Sequence, residues 1–148
     1  RLLMVGSQRN AKYQRFAEKL GVEHRVVFAG YCSDIRNAYF ASDLLVHPTF
    51  YDPCSHVVPE AMACGLPVIT TRYNGASELM NPPREGFVLD DPHDHEQLAS
   101  CILQLLDADC RSACGQAARQ SSTSWTFEDH YQRVMEVLSE AAQRRLAA

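Results

Sequence analysis

The stretch His47–Glu78, HPTFYDPCSHVVPEAMACGLPVITTRYNGASE, carries the reading of the fold. The apolar run 44–46 (LLV) leads into it and reads as a buried strand whose C-terminal end opens into a polar loop at His47. A helix fits about 56–64: Pro59 is tolerated only in a first turn, where no intrahelical N–H is needed, and Gly65 supplies the stop. PVITT at 67–71 is the next strand. Two short apolar strands joined through a helix form a parallel pair with a right-handed crossover.

The alternation continues in both directions. Upstream, LLMV at 2–5 is a strand ending at Gly6, and residues 10–20 repeat at helical spacing with Tyr13, Phe16, Ala17 and Leu20 on one face. Gly21 stops that helix, VVF at 26–28 is a strand closed by Gly30, and a short helix fits 34–41 with Ser33 or Asp34 as its cap. Downstream, 72–84 is a loop with one helical turn near Ala76–Met80, broken by Pro82 and Pro83, and GFVL at 86–89 is the last strand. The remainder is helical. Leu98, Cys101, Ile102, Leu105 and Leu106 form one apolar face, and a second helix fits about 109–121. A third starts at Thr126, in capping-box spacing with Asp129, with Tyr131, Val134, Met135 and Leu138 on its inner face. The expected fold class is α/β: a doubly wound, Rossmann-like sheet of five parallel strands with helices on both sides. Ligands of such sheets bind beyond the C-terminal ends of the strands, which points to Gly6–Arg9, Gly30–Asp34, His47–Pro59 and Thr70–Glu78.

Composition narrows the function classes. The 148 residues fit one domain, and a formal charge of -4 without a long basic block argues against nucleic acid as a partner. No stretch approaches the roughly 18 apolar residues of a membrane span. Six cysteines include no CxxC pair; Cys110 and Cys114 share a helix face but have no second pair to complete a zinc site. They read as reduced thiols, mostly partly buried, in a cytosolic protein. The first loop, GSQRN, is not GxGxxG, and neither GxxxxGK[ST] nor GxSxG occurs.

Chemistry concentrates in the central stretch. Asp52 falls in the loop after a strand and Glu60, eight residues on, in the first turns of the following helix. The start of that helix offers free N–H groups suited to a diphosphate, and a carboxylate one turn in can accept from a ribose diol. A carboxylate there also serves simply as a favourable dipole partner, and the residues alone leave both readings open.

The stretch resembles the signature of retaining glycosyltransferases of family 4, of GT-B fold: P-S-x-x-E-G-F-G-L-x-x-x-E-A-M-A-x-G-x-P-V-[IV]-x-[TS]-x-x-G-G-x-x-E. The similarity extends over essentially the whole chain, through LLMVG, VVFAGY with Asp34, and ASDLLVHP. Enzymes that add glucose to the lipopolysaccharide core also place His-Pro before this loop. By this resemblance Glu60 matches the second glutamate of the E-x7-E pair and binds the ribose hydroxyls. Asp52 matches the first, faces the donor sugar and is the implied catalytic residue, with a side chain one methylene shorter. Ser55 stands at a family glycine, and the N–H groups of His56, Val57 and Val58 face the diphosphate. Asn74 replaces the first glycine of G-G-x-x-E, a change suited to its tolerance of left-handed angles. Gly75 and Glu78 match, with Glu78 either donor-binding or only bracing the loop. His47 is either a satisfied strand-end histidine or a donor-site residue.

The resemblance implies transfer of a hexose from a nucleoside diphosphate sugar, with UDP-glucose the expected donor, to a glycan or lipopolysaccharide-core acceptor with retention. It implies no cofactor beyond the donor and no metal, and no DxD-like cluster occurs in a suitable loop. Residues 1–148 would be the nucleotide-sugar-binding domain, the C-terminal half of the GT-B fold, inactive in isolation. The acceptor domain, the first strand of the donor domain and the basic pair that neutralises the diphosphate are expected upstream, Arg9 being in the wrong register to replace that pair. A first strand missing between the first and third strands seen here would leave a slot in the sheet. The expected location is cytoplasmic, at the inner face of the membrane, with a lipid-linked acceptor and peripheral membrane association through the missing domain. Two alternatives stand beside this reading: a non-catalytic nucleotide-sugar-binding domain, favoured by Asp52 and Ser55, and a nucleotide-sugar 2-epimerase.

Overall fold

The computed structural model describes residues 1–6 and 11–146. Strands and helices alternate as β1 (Leu2–Val5), α1 (Ala11–Lys19), β2 (Val26–Gly30), α2 (Arg36–Phe40), β3 (Leu45–His47), α3 (Val57–Ala63), β4 (Val68–Thr71), β5 (Gly86–Leu89), α4 (His95–Gln104), α5 (Ala108–Ser122) and α6 (Phe127–Leu146). Short 3₁₀ turns occupy Glu23–Arg25 and Gly75–Leu79. Every pairing between these strands is parallel.

The strands form two sheets rather than one, β1-β2 and β3-β4-β5. The break separates the first two strands from the last three, and among the described residues β1 pairs with β2 alone and β3 with β4 alone. Apolar runs mark strands but do not say which edges meet; the break nonetheless falls between the first and third strands, where the sequence reading allowed for a slot in the sheet.

The three-stranded sheet is covered on both faces. Successive side chains of a strand point to opposite sides, and β4 shows the consequence. Val68 joins a cluster with Tyr39 of α2, Val58, Ala61 and Met62 of α3, and Ala118 of α5. Ile69 joins a second cluster with Cys101, Leu105, Cys114 and Leu89. All four residues of β4 are buried, as a central strand between two helical layers requires. Gly65 closes α3 with φ +81, where its N–H donates to Met62 O and that of Leu66 to Ala61 O. This crossed pair satisfies carbonyls at the helix end, and the left-handed residue it needs is cheap only for glycine.

Two expected apolar faces find no cover. In α1 only Ala17 is buried, while Tyr13, Phe16 and Leu20 are exposed. In α6 the expected inner face is open, with Leu138 at 57% exposure and Tyr131, Val134 and Met135 also exposed. Helical periodicity identifies the face that would be buried, not whether a neighbour is there to bury it. The α6 cap forms as expected: Thr126 Oγ1 accepts from the Asp129 N–H at 3.1 Å and donates to Asp129 Oδ2 at 2.7 Å.

One buried carboxyl group went unread in the sequence. Glu85 is fully buried, with Oε2 accepting from the Asn81 N–H at 2.7 Å and Oε1 from the Ser121 hydroxyl at 2.7 Å. It ties the loop before β5 to α5, an acceptor-only group satisfied by donors from both sides.

Candidate functional site

The site grows from the C-terminal ends of β3 and β4, which pair with His47 opposite Thr70. Two threonine hydroxyls extend that register into the loop: Thr70 donates to His47 O at 3.0 Å and Thr71 to Thr49 O at 2.6 Å. Further out, Asp52 and Asn74 form an isolated parallel bridge. The Asp52 N–H donates to Tyr73 O at 3.1 Å and the Gly75 N–H to Asp52 O at 2.9 Å. Gly75 permits this approach, because any Cβ there would drive into the carbonyl of Pro53.

Asn74 is the hub beneath the loop. It is fully buried; its Oδ1 accepts from the N–H groups of Ser55 at 3.2 Å and Ala76 at 3.1 Å, and its Nδ2 donates to Thr70 Oγ1 at 3.0 Å. The expectation that asparagine stands here for its left-handed tolerance is corrected. Its φ of -101 is ordinary extended backbone, and the side chain does the work as the N-cap of the 3₁₀ turn.

The loop residues named from the sequence separate into two groups. Asp52, Ser55 and His47 come together: Ser55 Oγ lies 3.2 Å from His47 Nε2, and Asp52 Oδ2 lies 3.9 Å from the same nitrogen. Asp52 Oδ1 also accepts from the Cys54 N–H at 3.1 Å. The N–H groups of Cys54 and Ser55 are thus occupied by side chains, and that of Val58 leans on Ser55 O at 3.4 Å. Those of His56 and Val57 have no acceptor among the described residues and stand open at the start of α3. Val58 itself is buried in the first cluster, whereas the His56 side chain is exposed.

Glu60 lies in the first turn of α3 with an exposed carboxylate. Its Oε2 accepts from the Tyr39 hydroxyl at 2.8 Å, and no Lys or Arg pairs with it among the described residues. Burial, reinforced by the Glu60 carboxylate, pushes the Tyr39 phenol well above its ordinary pKa. Burial likewise raises the Cys64 thiol, with Glu60 contributing. Tyr39 was missed in the sequence because its contact spans 21 positions. Glu78 is exposed in the 3₁₀ turn, with no side-chain partner among the described residues. Arg72 and Tyr73 are exposed, the guanidinium 6.0 Å from the ring centroid.

The other two loops contribute less. Asp34 forms a two-bond pair with Arg36, 2.8 and 2.7 Å, and the hydrogen bond to that guanidinium holds its carboxyl below the usual range. Ser7–Arg9 of the first loop lie outside the described residues. Among the described residues no group of three or more His, Cys, Asp or Glu is arranged to hold a metal ion. No described helix is long and apolar enough to cross a membrane.

Comparison with known proteins gives this geometry a context. A sequence model of the family described as glycosyl transferases group 1 matches residues 1–121. The lipopolysaccharide glucosyltransferase WaaG of Escherichia coli K12 is 34% identical over 105 residues, covering 71% of this chain and 28% of WaaG. The crystal structure of WaaG superposes with a TM-score of 0.81 at 29% identity, over 92% of this chain and 37% of that one. Anabaena Alr3699/HepE, solved in complex with UDP-glucose, superposes with a TM-score of 0.82 at 27% identity, over 93% of this chain and 40% of its own. The α/β, Rossmann-like parallel architecture is thus that of GT-B glycosyltransferases, and the chain spans less than half the length of these relatives.

Proposed function

The chain belongs to the glycosyl transferases group 1, and from that membership we propose that it is the donor-holding, C-terminal half of a GT-B enzyme. The reaction is transfer of a hexose from a nucleoside diphosphate sugar, UDP-glucose, to an acceptor hydroxyl of a glycan or lipopolysaccharide core, with retention at the anomeric carbon. The likeness to WaaG supports the acceptor class, and that to HepE, which holds UDP-glucose, supports the donor. The reading makes residues 1–148 one nucleotide-sugar-binding domain of a cytoplasmic protein working at the inner face of the membrane, where the acceptor is lipid-linked.

One observation carries the reading. An exposed carboxylate free of any described cation, Glu60, stands one turn behind two open N–H groups, His56 and Val57, at the C-terminal edge of a parallel sheet. The N–H groups suit the diphosphate, whose charge grows as the glycosyl bond breaks, and donors already in place need no reorganisation at that moment. The ribose is bonded to that diphosphate, and its two hydroxyls match an acceptor-only carboxylate. On this reading Ser55 supports the turn, Val58 anchors α3 in the core, and Glu78, exposed in the 3₁₀ turn, binds the donor. Asp52, one loop earlier and braced by the Cys54 N–H, faces the hexose.

Calorimetry on the full-length protein tests these assignments. Replacing Glu60→Ala weakens UDP and UDP-glucose alike, by about 1.5–3 kcal/mol for hydrogen bonds to a charged group. Replacing Asp52→Ala leaves UDP affinity in place and weakens UDP-glucose. A folded Glu60→Ala protein with unchanged UDP affinity overturns the site. The engagement of Asp52 with His47 and the Cys54 N–H favours a second reading, a domain that binds donor without turning it over. Absence of sugar transfer by the full-length protein, with donor binding intact, would select it.

A further inference from the structure

Tyr39 sits on α2, on a different element from every residue assigned to the donor. Its ring is 5% exposed and packs with Val58, Ala61 and Met62 under the first turn of α3. Its hydroxyl donates to Glu60 Oε2 at 2.8 Å. The other oxygen, Oε1, has no partner among the described residues, and Glu60 as a whole is exposed.

This arrangement differs from an ordinary structural ion pair. A Lys or Arg would hold the carboxylate by neutralising it and occupying several of its lone pairs. A phenol donates one hydrogen bond and adds no charge. An ionised carboxylate offers about four acceptor positions, so one bond leaves room for both hydroxyls of a diol. A first-turn glutamate otherwise samples several rotamers and must lose that freedom when a ligand arrives. Tyr39 is locked by packing and therefore fixes the rotamer beforehand, lowering the ordering cost of binding. Burial, with the Glu60 carboxylate beside it, raises the phenol's pKa, so it keeps its proton beyond the ordinary tyrosine range.

We propose that Tyr39 is a positioning residue for the donor: it pre-orients Glu60 so that the free carboxylate oxygen meets the ribose hydroxyls. This rests on the reading of Glu60 as the ribose ligand. The test compares wild type, Tyr39→Phe, Glu60→Gln and the double variant of the full-length protein, by calorimetry against UDP and 2′,3′-dideoxyuridine diphosphate. Unfolding midpoints are measured alongside. Tyr39→Phe is expected to weaken UDP roughly 3- to 10-fold, the share of one hydrogen bond, and to leave the dideoxy analogue unchanged. The loss in the double variant should fall short of the sum of the two single losses, because the phenol acts through residue 60 rather than on the ligand directly. The proposal is overturned if Tyr39→Phe shifts both ligands equally, which marks a merely structural role. It is also overturned if UDP affinity is unchanged in Tyr39→Phe while Glu60→Gln weakens it. Unchanged UDP affinity in Glu60→Gln removes the ribose assignment itself, and this proposal with it.

Discussion

Asn74 and Gly75 show how two adjacent residues can hold a loop for opposite reasons. Gly75 contributes an absence, the missing Cβ that lets the Pro53 carbonyl close in. Asn74 contributes three hydrogen bonds from a fully buried amide. Removing the amide in Asn74→Ala leaves the Ser55 and Ala76 N–H groups without their acceptor at two buried residues, and such orphaned groups cost about 1–3 kcal/mol. Urea unfolding should show that loss; a change near zero would mean the loop rearranges freely to recover its bonds. At this scale the sequence was uneven. Asp52, Ser55, His56 and Glu60 were legible as positions because they lie in one ordered stretch. The purpose of Asn74 was not, since a residue type says nothing of whether backbone angle or side chain is being used. Tyr39 was invisible, because its apolar spacing in a short helix is that of any core residue and its polar contact is distant in the chain.

Among the elements, ends were easier to read than faces. Gly65 and the Thr126–Asp129 box depend on residues a few positions apart, so local chemistry determines them. Burial of a face depends on what lies opposite, and here α3 and α6 part company. Met62 of α3 is fully enclosed between β4 and its neighbouring helices, while Leu138 of α6 is 57% exposed. Truncating Met62→Ala should cost about 2–5 kcal/mol, as large-to-small changes in sealed cores do. Leu138→Ala should stay within about 0.5 kcal/mol, the range of ordinary surface changes. Denaturant midpoints of the two variants check the contrast, and a large effect at Leu138 would show that α6 is covered in solution. The thiols report the same packing. Cys54 is exposed, whereas burial pushes the Cys101 and Cys114 thiols up, leaving less thiolate at mildly alkaline pH. Maleimide should therefore label Cys54 in the native protein and reach Cys101 and Cys114 only on unfolding.

At the scale of the whole molecule the two sheets are unequal. The β3-β4-β5 sheet has helices on both faces, and its central strand is wholly buried. The β1-β2 pair leaves Leu2, Leu3 and Val27 exposed, with Phe16 of α1 exposed as well. Apolar burial is what makes opening costly, so the first sheet should open at a lower free energy than the second. The division also matters to the site, since His47, Thr70 and Thr71 tie the Asp52 loop to the better-packed sheet. A site built there should keep its geometry if the first sheet opens locally. Native-state hydrogen exchange can measure this difference. Amides of Val26–Gly30 should exchange through low-energy local openings, and those of Val68–Thr71 only near the free energy of global unfolding. Equal protection in the two strands would mean that the sheets unfold as one cooperative unit, and that β1-β2 is held by contacts beyond its own pairing.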